Sequence, residues 1–396
     1  MKDPNQYYRT DLQKKQQKPP RIRHTWAWIY GISLTIYTVF TLLQVFVIPH
    51  DVVKLDENAY ASIYRTDLTA NSRQNSENGS SSSITYSPHG SHGGTEADSP
   101  NSSGASSTTD GSGSSGTADG SGSSGTADSS GSSSSQNSTQ SFSEDGSATL
   151  TKTDNGYIYS DPNMVITLTE SYLNNTMVYA ADIQLSSVAL LKAGLAEDSF
   201  GRNVTEATSA IASRVGAILA VNGDFYGFRD SGYVIRNGVM YRETKKDNDA
   251  EDLVLWPDGS MEIIHEGDIT AAELYEKGAL QVYSFGPGLI QNGEITVTAS
   301  SEVTQSKTSN PRTAIGMISP LHYVMVVSDG RTTESRGLSL LELANVMKDL
   351  GCIQAYNLDG GGSTTMYFNG EVINNPTTGG NRTKERSVSD IVYIGY

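Results

Sequence analysis

Apolar and polar positions divide the chain into stretches of different character. From Trp26 to Ile48 the run WAWIYGISLTIYTVFTLLQVFVI carries no charge over 23 residues, about 35 Å as a helix and enough to cross a bilayer. Residues 49–70 are mixed and read as a short stalk. Residues 71–147 are dominated by Ser, Gly, Thr, Asn and Asp, with a nine-residue unit that begins at Asp110 and again at Asp119. Such a segment has no apolar face to bury, which predicts a disordered linker with a reach of about 45–55 Å. Residues 148–396 then alternate short apolar runs with turn signals, the pattern of one folded domain.

Within that domain, Asn237-Gly238, Asp258-Gly259, Asn292-Gly293 and Asn369-Gly370 each stand between extended runs, predicting hairpins in which both central residues take positive φ. Two helices are expected, one over Val204–Val215 and one over Leu340–Leu350. The second has Ser339 as N-cap, Glu342 three residues on and Gly351 as its stop. Each runs into a short apolar strand, Ala217–Val221 and Ile353–Leu358. The expectation is an α+β fold: a single mixed-sheet domain with hairpins and a few helices, preceded by one transmembrane helix and a disordered linker.

Charge adds direction. Lys2, Arg9, Lys14, Lys15, Lys18, Arg21 and Arg23 precede Trp26, and the next basic residue is Lys54. The positive-inside rule makes residues 1–25 a cytoplasmic basic tail and 26–48 a single-pass membrane anchor, with 49–147 and the domain at 148–396 outside. A cleaved signal peptide fits less well, because its apolar region is roughly 7–15 residues long. The net charge of −16 makes the chain a poor candidate for a general nucleic-acid binder, which needs a basic footprint, and the apolar fraction of 36% implies that part of it does not pack. One cysteine, Cys352, and two histidines beyond residue 148, His265 and His322, exclude an intramolecular disulfide and a Cys- or His-rich metal site. No cofactor is expected, and the oligomeric state is left open.

The candidate chemistry lies at strand ends. Asp359-Gly360-Gly361-Gly362-Ser363-Thr364 removes side chains from one approach surface, so that backbone N–H groups and two hydroxyls can meet an anion. It matches neither nucleotide-binding glycine pattern. Asn222-Gly223-Asp224 and Ser328-Asp329-Gly330-Arg331 have similar composition, and Arg312, Arg336 and Arg386 can hold a phosphate.

Seven segments, VNGDFY (221–226), FGPGLIQNG (285–293), PRTAIG (311–316), SDGR with ESRG (328–337), SLLELANVMKDLG (339–351), NLDGGGSTTM (357–366) and ERSVSD (385–390), together resemble the phosphodiester glycosidase family over about residues 165–396. The resemblance implies hydrolysis of sugar-1-phosphodiester linkages in cell-surface or exopolysaccharide-type glycans, in a cleft lined by Asn222, Arg312, Asp329, Arg336, Asp359, Gly360 to Ser363 and Arg386. Asp224 and Arg331 fall where family members vary, and the disulfides of animal members have no counterpart here. Asp359 is the first choice for the carboxylate at the anomeric carbon, Asp329 the second and Asp224 a lesser acid or base. Two alternatives stay open: a non-catalytic binder of anionic wall polymer, and a divalent-metal phosphodiesterase using Asp224, Asp329 and Asp359.

Overall fold

A computed structural model describes residues 25–54, 142–143, 146–301, 309–378 and 382–396. The basic tail and nearly all of the Ser/Gly-rich linker lie outside the described residues. Among the described residues there are five sheets, antiparallel in every pairing: two are two-stranded, and the three larger ones share one core. The largest has nine strands, in the order Glu294–Ile295, Gly288–Gln291, Gln354–Asn357, Arg312–Ser319, His322–Ser328, Thr176–Leu185, Met164–Leu173, Gly156–Ser160 and Thr149–Thr153. A five-stranded sheet runs Glu371–Val372, Met366–Phe368, Leu219–Asn222, Asp390–Ile394, Leu191–Leu195, and a second runs Val239–Arg242, Val234–Arg236, Gln281–Tyr283, Glu251–Leu255, Met261–His265. The α+β expectation, rich in sheet with few helices, describes this domain.

Each of the larger sheets gives one apolar face to the shared core, where Ile183, Met325 and Leu358 meet Val221 and Val392 from the second sheet and Leu253 and Tyr283 from the third. The opposite faces carry one helix each. Leu340–Asp349 sets Leu343, Ala344 and Met347 against Ala314, Val324 and Ala355. Ser339 and Glu342 make the expected capping box, with Ser339 Oγ accepting from the Glu342 N–H and the Glu342 carboxylate accepting from the Ser339 N–H. The other expected helix starts later, at Thr208, because Ala207 supplies no capping side chain and Glu206–Ala207 pairs with Ser387–Val388.

Asn237-Gly238, Asn292-Gly293 and Asn369-Gly370 form hairpin turns with both φ positive. At the fourth, only Gly259 is left-handed: a longer loop closes there, with the Trp256 N–H donating to Ser260 O and the Gly259 N–H to Trp256 O.

Thr25–Phe46 is helical at the expected place, and its large apolar side chains are exposed on all sides. Side chains are described only over residues 28–44 of it. Among the described residues no helix is long and apolar enough to cross a membrane, so the structure gives the expected span no support. The stalk also has order: His50–Lys54 is a strand paired with Ser199–Arg202, and Asn203 Nδ2 donates to Ile48 O.

One charged cluster holds two sheets together. Arg236 is fully buried. It donates through Nη2 to Asp224 (2.9 Å) and through Nε to Asp390 (2.7 Å), with the Tyr283 ring 4.0 Å from its guanidinium carbon. Burial opposes its charge, but Asp390 and Asp224 outweigh that and raise its pKa. Removing one member of such a group strands the others in a dry interior. Arg236→Met should therefore lower the free energy of unfolding by about 3–5 kcal/mol in a urea titration. A loss of less than about 1 kcal/mol would show that the sheets do not depend on this cluster.

Candidate active site

The strand Leu219–Asn222 ends on a buried amide. Asn222 Nδ2 donates to Asp359 O at 2.6 Å, and its Oδ1 accepts from Thr313 Oγ1 (2.7 Å) and the Thr365 N–H (3.3 Å). The Asp359 N–H returns a bond to Gly223 O (3.2 Å), and the Leu358 N–H bonds Thr313 O (2.9 Å). Three strand ends from two sheets are thereby fastened at one point, with Asp359 emerging from it. The residue is 9% exposed, and its carboxyl accepts from the Gly360 N–H at 2.9 Å. Burial pushes its pKa above the ordinary carboxylate range. The Ser363 hydroxyl, Arg386, the Gly360 N–H and Arg229 pull the other way. Ser363 Oγ is buried close to this carboxyl without a hydrogen bond of good geometry, which leaves its capacity open for a ligand or water.

The glycine turn works differently from the backbone anion nest expected. The Gly361 N–H bonds Pro311 O, and the Ser363 and Thr364 N–H groups close the turn onto Gly360 O and Gly361 O. With the Gly360 N–H on Asp359, most of these donors are already spent. Guanidinium groups lie on the glycines, so that a Cβ at Gly361 would stand 2.7 Å from Arg331 Nη2 and one at Gly362 2.8 Å from Arg386 Nη2, while the backbone itself constrains Gly361 through its φ of 64° and Gly360 through Pro311 O, 2.8 Å from where its Cβ would be. The positive charge comes from side chains.

Those side chains form a group of three. Arg331 adopts a left-handed φ of 63°, rare for a long side chain. Its Nε and Nη2 donate to Asn310 Oδ1 at 3.3 and 3.2 Å. Burial lowers its pKa, Arg386 lowers it further and Asp359 opposes both. Arg312, buried, donates through Nε to Leu338 O (3.0 Å), and burial together with Arg331 pushes its pKa down to about 10. Among the described residues neither Arg331 nor Arg386 forms an ion pair. Arg331 and Arg386, which repel one another and form no ion pair among the described residues, suit a bound anion.

The other expected residues are placed elsewhere. Asp329 is buried, with Oδ1 accepting from the Asn375 N–H (2.8 Å) and Oδ2 from Asn375 Nδ2 (3.0 Å). Its carboxylate thus fastens the start of the segment that returns to the turn, where Thr378 Oγ1 and the Arg386 N–H both donate to Gly362 O. Asp224 is sealed in the Arg236 cluster and also accepts from the Ser284 N–H at 3.1 Å, so it has no face for acid–base work. Arg336 points away from the turn, to Glu342, Ser309 Oγ and Asn174 O at the start of helix Leu340–Asp349. Thr364 is buried against Thr313. Asn222 and Thr364 therefore support the site, whereas Asp359, Gly360 to Ser363, Arg312 and Arg386 converge. Among the described residues no three acidic, His or Cys side chains gather as metal ligands, and Asp224, Asp329 and Asp359 do not form one set.

Sequence reasoning did not place Arg229, Phe225, Phe228 and Phe285. Arg229 Nη1 donates to Ser284 O at 2.9 Å, and its guanidinium carbon lies 5.6 Å from the Phe225 ring centre and 5.0 Å from that of Phe285. Phe225 and Phe228 stack at 4.7 Å. No spacing rule signals such a group, because Phe285 is distant in sequence.

A family model for phosphodiester glycosidases matches residues 215–395. The chain is 30% identical over 203 residues to the SPbeta prophage-derived protein YomE of Bacillus subtilis (strain 168), covering 50% of this chain and 31% of that protein. It is 31% identical over 134 residues to N-acetylglucosamine-1-phosphodiester alpha-N-acetylglucosaminidase of Mus musculus, 29% of this chain and 26% of the mouse protein. It thus spans about a third or less of the length of these relatives. The solved catalytic domain of the zebrafish N-acetylglucosamine-1-phosphodiester alpha-N-acetylglucosaminidase aligns with a TM-score of 0.47 at 20% identity, over 59% of this chain and 83% of that one. The matched stretch, residues 215–395, holds the glycine turn, Asp359 and the surrounding arginines, and it is over this part that the chain is similar to the phosphodiester glycosidase family.

Proposed function

We propose that this domain hydrolyses sugar-1-phosphodiesters at the anomeric carbon. Water adds its oxygen to C1, the C1–O bond breaks, and the phosphomonoester leaves with its P–O bonds intact. The observation that carries the reading is a buried carboxyl, Asp359, beside a turn on which Arg331 and Arg386 rest with no ion pair among the described residues. As the C1–O bond breaks, the ring gains oxocarbenium character, and an ionised Asp359 stabilises or attacks that centre. Charge grows on the departing phosphate, where Arg386, Arg331 and Arg312 neutralise it in a partly dry cleft. A phosphate needs less protonation than an alcohol to leave. That fits a site in which Asp224 and Asp329, the other two candidate carboxylates, are engaged in holding loops.

The mouse relative's name makes N-acetylglucosamine-1-phosphodiesters the first substrates to test, and cell-surface or exopolysaccharide-type glycans are the wider class. The proposed setting is outside the cell, and its support is the sequence alone: the uncharged run Trp26–Ile48 behind seven basic residues. Protease added to intact cells should then release the C-terminal domain, and a domain that stays protected would contradict the topology.

Arg386→Gln should reduce kcat/KM for a sugar-1-phosphodiester by about 10- to 150-fold, the range of a charge-assisted hydrogen bond of roughly 1.5–3 kcal/mol. An uncharged aryl glycoside should lose far less, whereas Asp359→Asn should depress both. Equal losses on the two substrates in the arginine variant would withdraw the phosphate role.

The acid limb of the pH profile carries a second expectation. If ionised Asp359 is the active form, kcat/KM falls as pH drops through a pKa above the ordinary carboxylate range, because burial raises it. Arg386 favours the ionised form, so Arg386→Gln should move that limb to higher pH. A limb that stays in place or moves to lower pH would separate it from Asp359.

A further inference from the structure

We propose that Phe225, Phe228, Phe285 and Arg229 form the subsite for the sugar ring, apart from the arginines that take the phosphate. The assignment rests on the hydrolase reading above only for the identity of the neighbouring phosphate site.

The group is built from two loops, and both are tied to Asp359. Residues 223–229 follow Asn222, and Gly223 O receives the Asp359 N–H. The Phe285–Pro287 segment is fastened to the strand leading into Asp359: Asn357 Nδ2 donates to Gly286 O at 2.8 Å and the Asn357 N–H to Pro287 O at 3.1 Å. Asp224 joins the two loops, since it belongs to the first and accepts the Ser284 N–H of the second. Arg242 stiffens the first loop further, donating to Gly232 O, Tyr226 O and Arg229 O. The shelf is therefore held in place before any ligand arrives.

Its chemistry differs from that of the glycine turn. Phe225, Phe228 and Phe285 are half-buried, leaving aromatic surface open beside a charged group. Arg229 is held among these rings, and among the described residues its guanidinium has Ser284 O as its one hydrogen-bond acceptor and forms no ion pair, so most of its side-chain N–H donors are unspent. A pyranose ring presents an apolar C–H face that packs on phenyl rings and an edge of oxygen atoms that accepts from a guanidinium. A phosphate offers no apolar face. The field of Arg229 at Asp359 places the shelf within electrostatic reach of the proposed reaction centre. The ligand class is a hexopyranose with an oxygen acceptor on a ring substituent, and Arg229 with Phe225 and Phe285 would set which sugar is accepted.

The test is binding, with the whole protein and two probes: methyl α-hexopyranosides, N-acylated and not, followed by saturation-transfer NMR, and inorganic phosphate, followed by calorimetry. Arg229→Gln and the conservative Phe225→Leu should each weaken glycoside binding by about tenfold or more while phosphate affinity changes less than about twofold. Arg386→Gln should do the reverse. Thermal unfolding of each variant identifies any that has lost its fold, and the remaining variant then decides. Glycoside binding that is indifferent to Arg229 and Phe225, or a wild-type protein that binds phosphate but no glycoside, overturns the subsite. A wild-type protein that binds glycosides through the shelf yet hydrolyses no phosphodiester leaves the subsite standing and removes the hydrolase reading alone.

Discussion

Asn222 spends its hydrogen-bonding capacity on the strand ends between which the chemistry is proposed. An amide side chain offers two acceptor positions and two donor hydrogens. Here they meet Thr313 and Thr365 on one side and Asp359 O and Gly223 O on the other, with no solvent exposure. A carboxyl in a low-dielectric cleft is useful only if it cannot swing away to find water. The buried amide fixes the backbone from which Asp359 projects, and the glycine turn, the arginines and the aromatic loop are all positioned from that backbone. An aspartate at position 222 would lose both donors, and a leucine would take from Asp359 O and the Thr365 N–H their partner in the interior, where each unsatisfied group costs about 1–3 kcal/mol.

Two arrangements of arginine charge stand in contrast, one fully buried and the other with Arg331 exposed and Arg386 half-buried. Arg236 has two carboxylates and an aromatic ring around it, so its charge is matched within the protein. Arg331 and Arg386 have no carboxylate within ion-pair distance among the described residues, and together with Arg312 they press on one another. The first arrangement serves folding and the second leaves electrostatic work for a ligand, which is a reason to distinguish arginines by their partners and not by their proximity to a motif. The same reasoning separates the aspartates. Asp224 and Asp329 are acceptors for the protein's own donors, whereas Asp359 keeps one oxygen for something else.

Much of this was legible before the structure. The capping box at Ser339, the four glycine hairpins, three of them with the expected turn, and the turn after Asp359 follow from local rules, because the residues that decide them are within a few positions of one another. What escaped depends on partners far apart in the chain. Arg236 reads as an ordinary hairpin arginine until Asp390 is brought to it from 154 residues away. Asp329 reads as a site carboxylate until Asn375 claims it. The three glycines read as a backbone nest, and only the positions of Arg331 and Arg386 show that they make room for guanidinium groups. The strand His50–Lys54 lies in a stretch with too little alternation to announce itself, and its partner is about 150 residues on.

The central claim is that the bond broken is carbon–oxygen at the sugar and that the phosphate departs intact. Hydrolysis of a sugar-1-phosphodiester in water enriched in oxygen-18, followed by mass spectrometry of both products, tests it directly. The account predicts the label in the reducing sugar and none in the phosphomonoester. Label in the phosphate would mean that water attacks phosphorus, and the roles given to Asp359 and the arginine group would then be wrong.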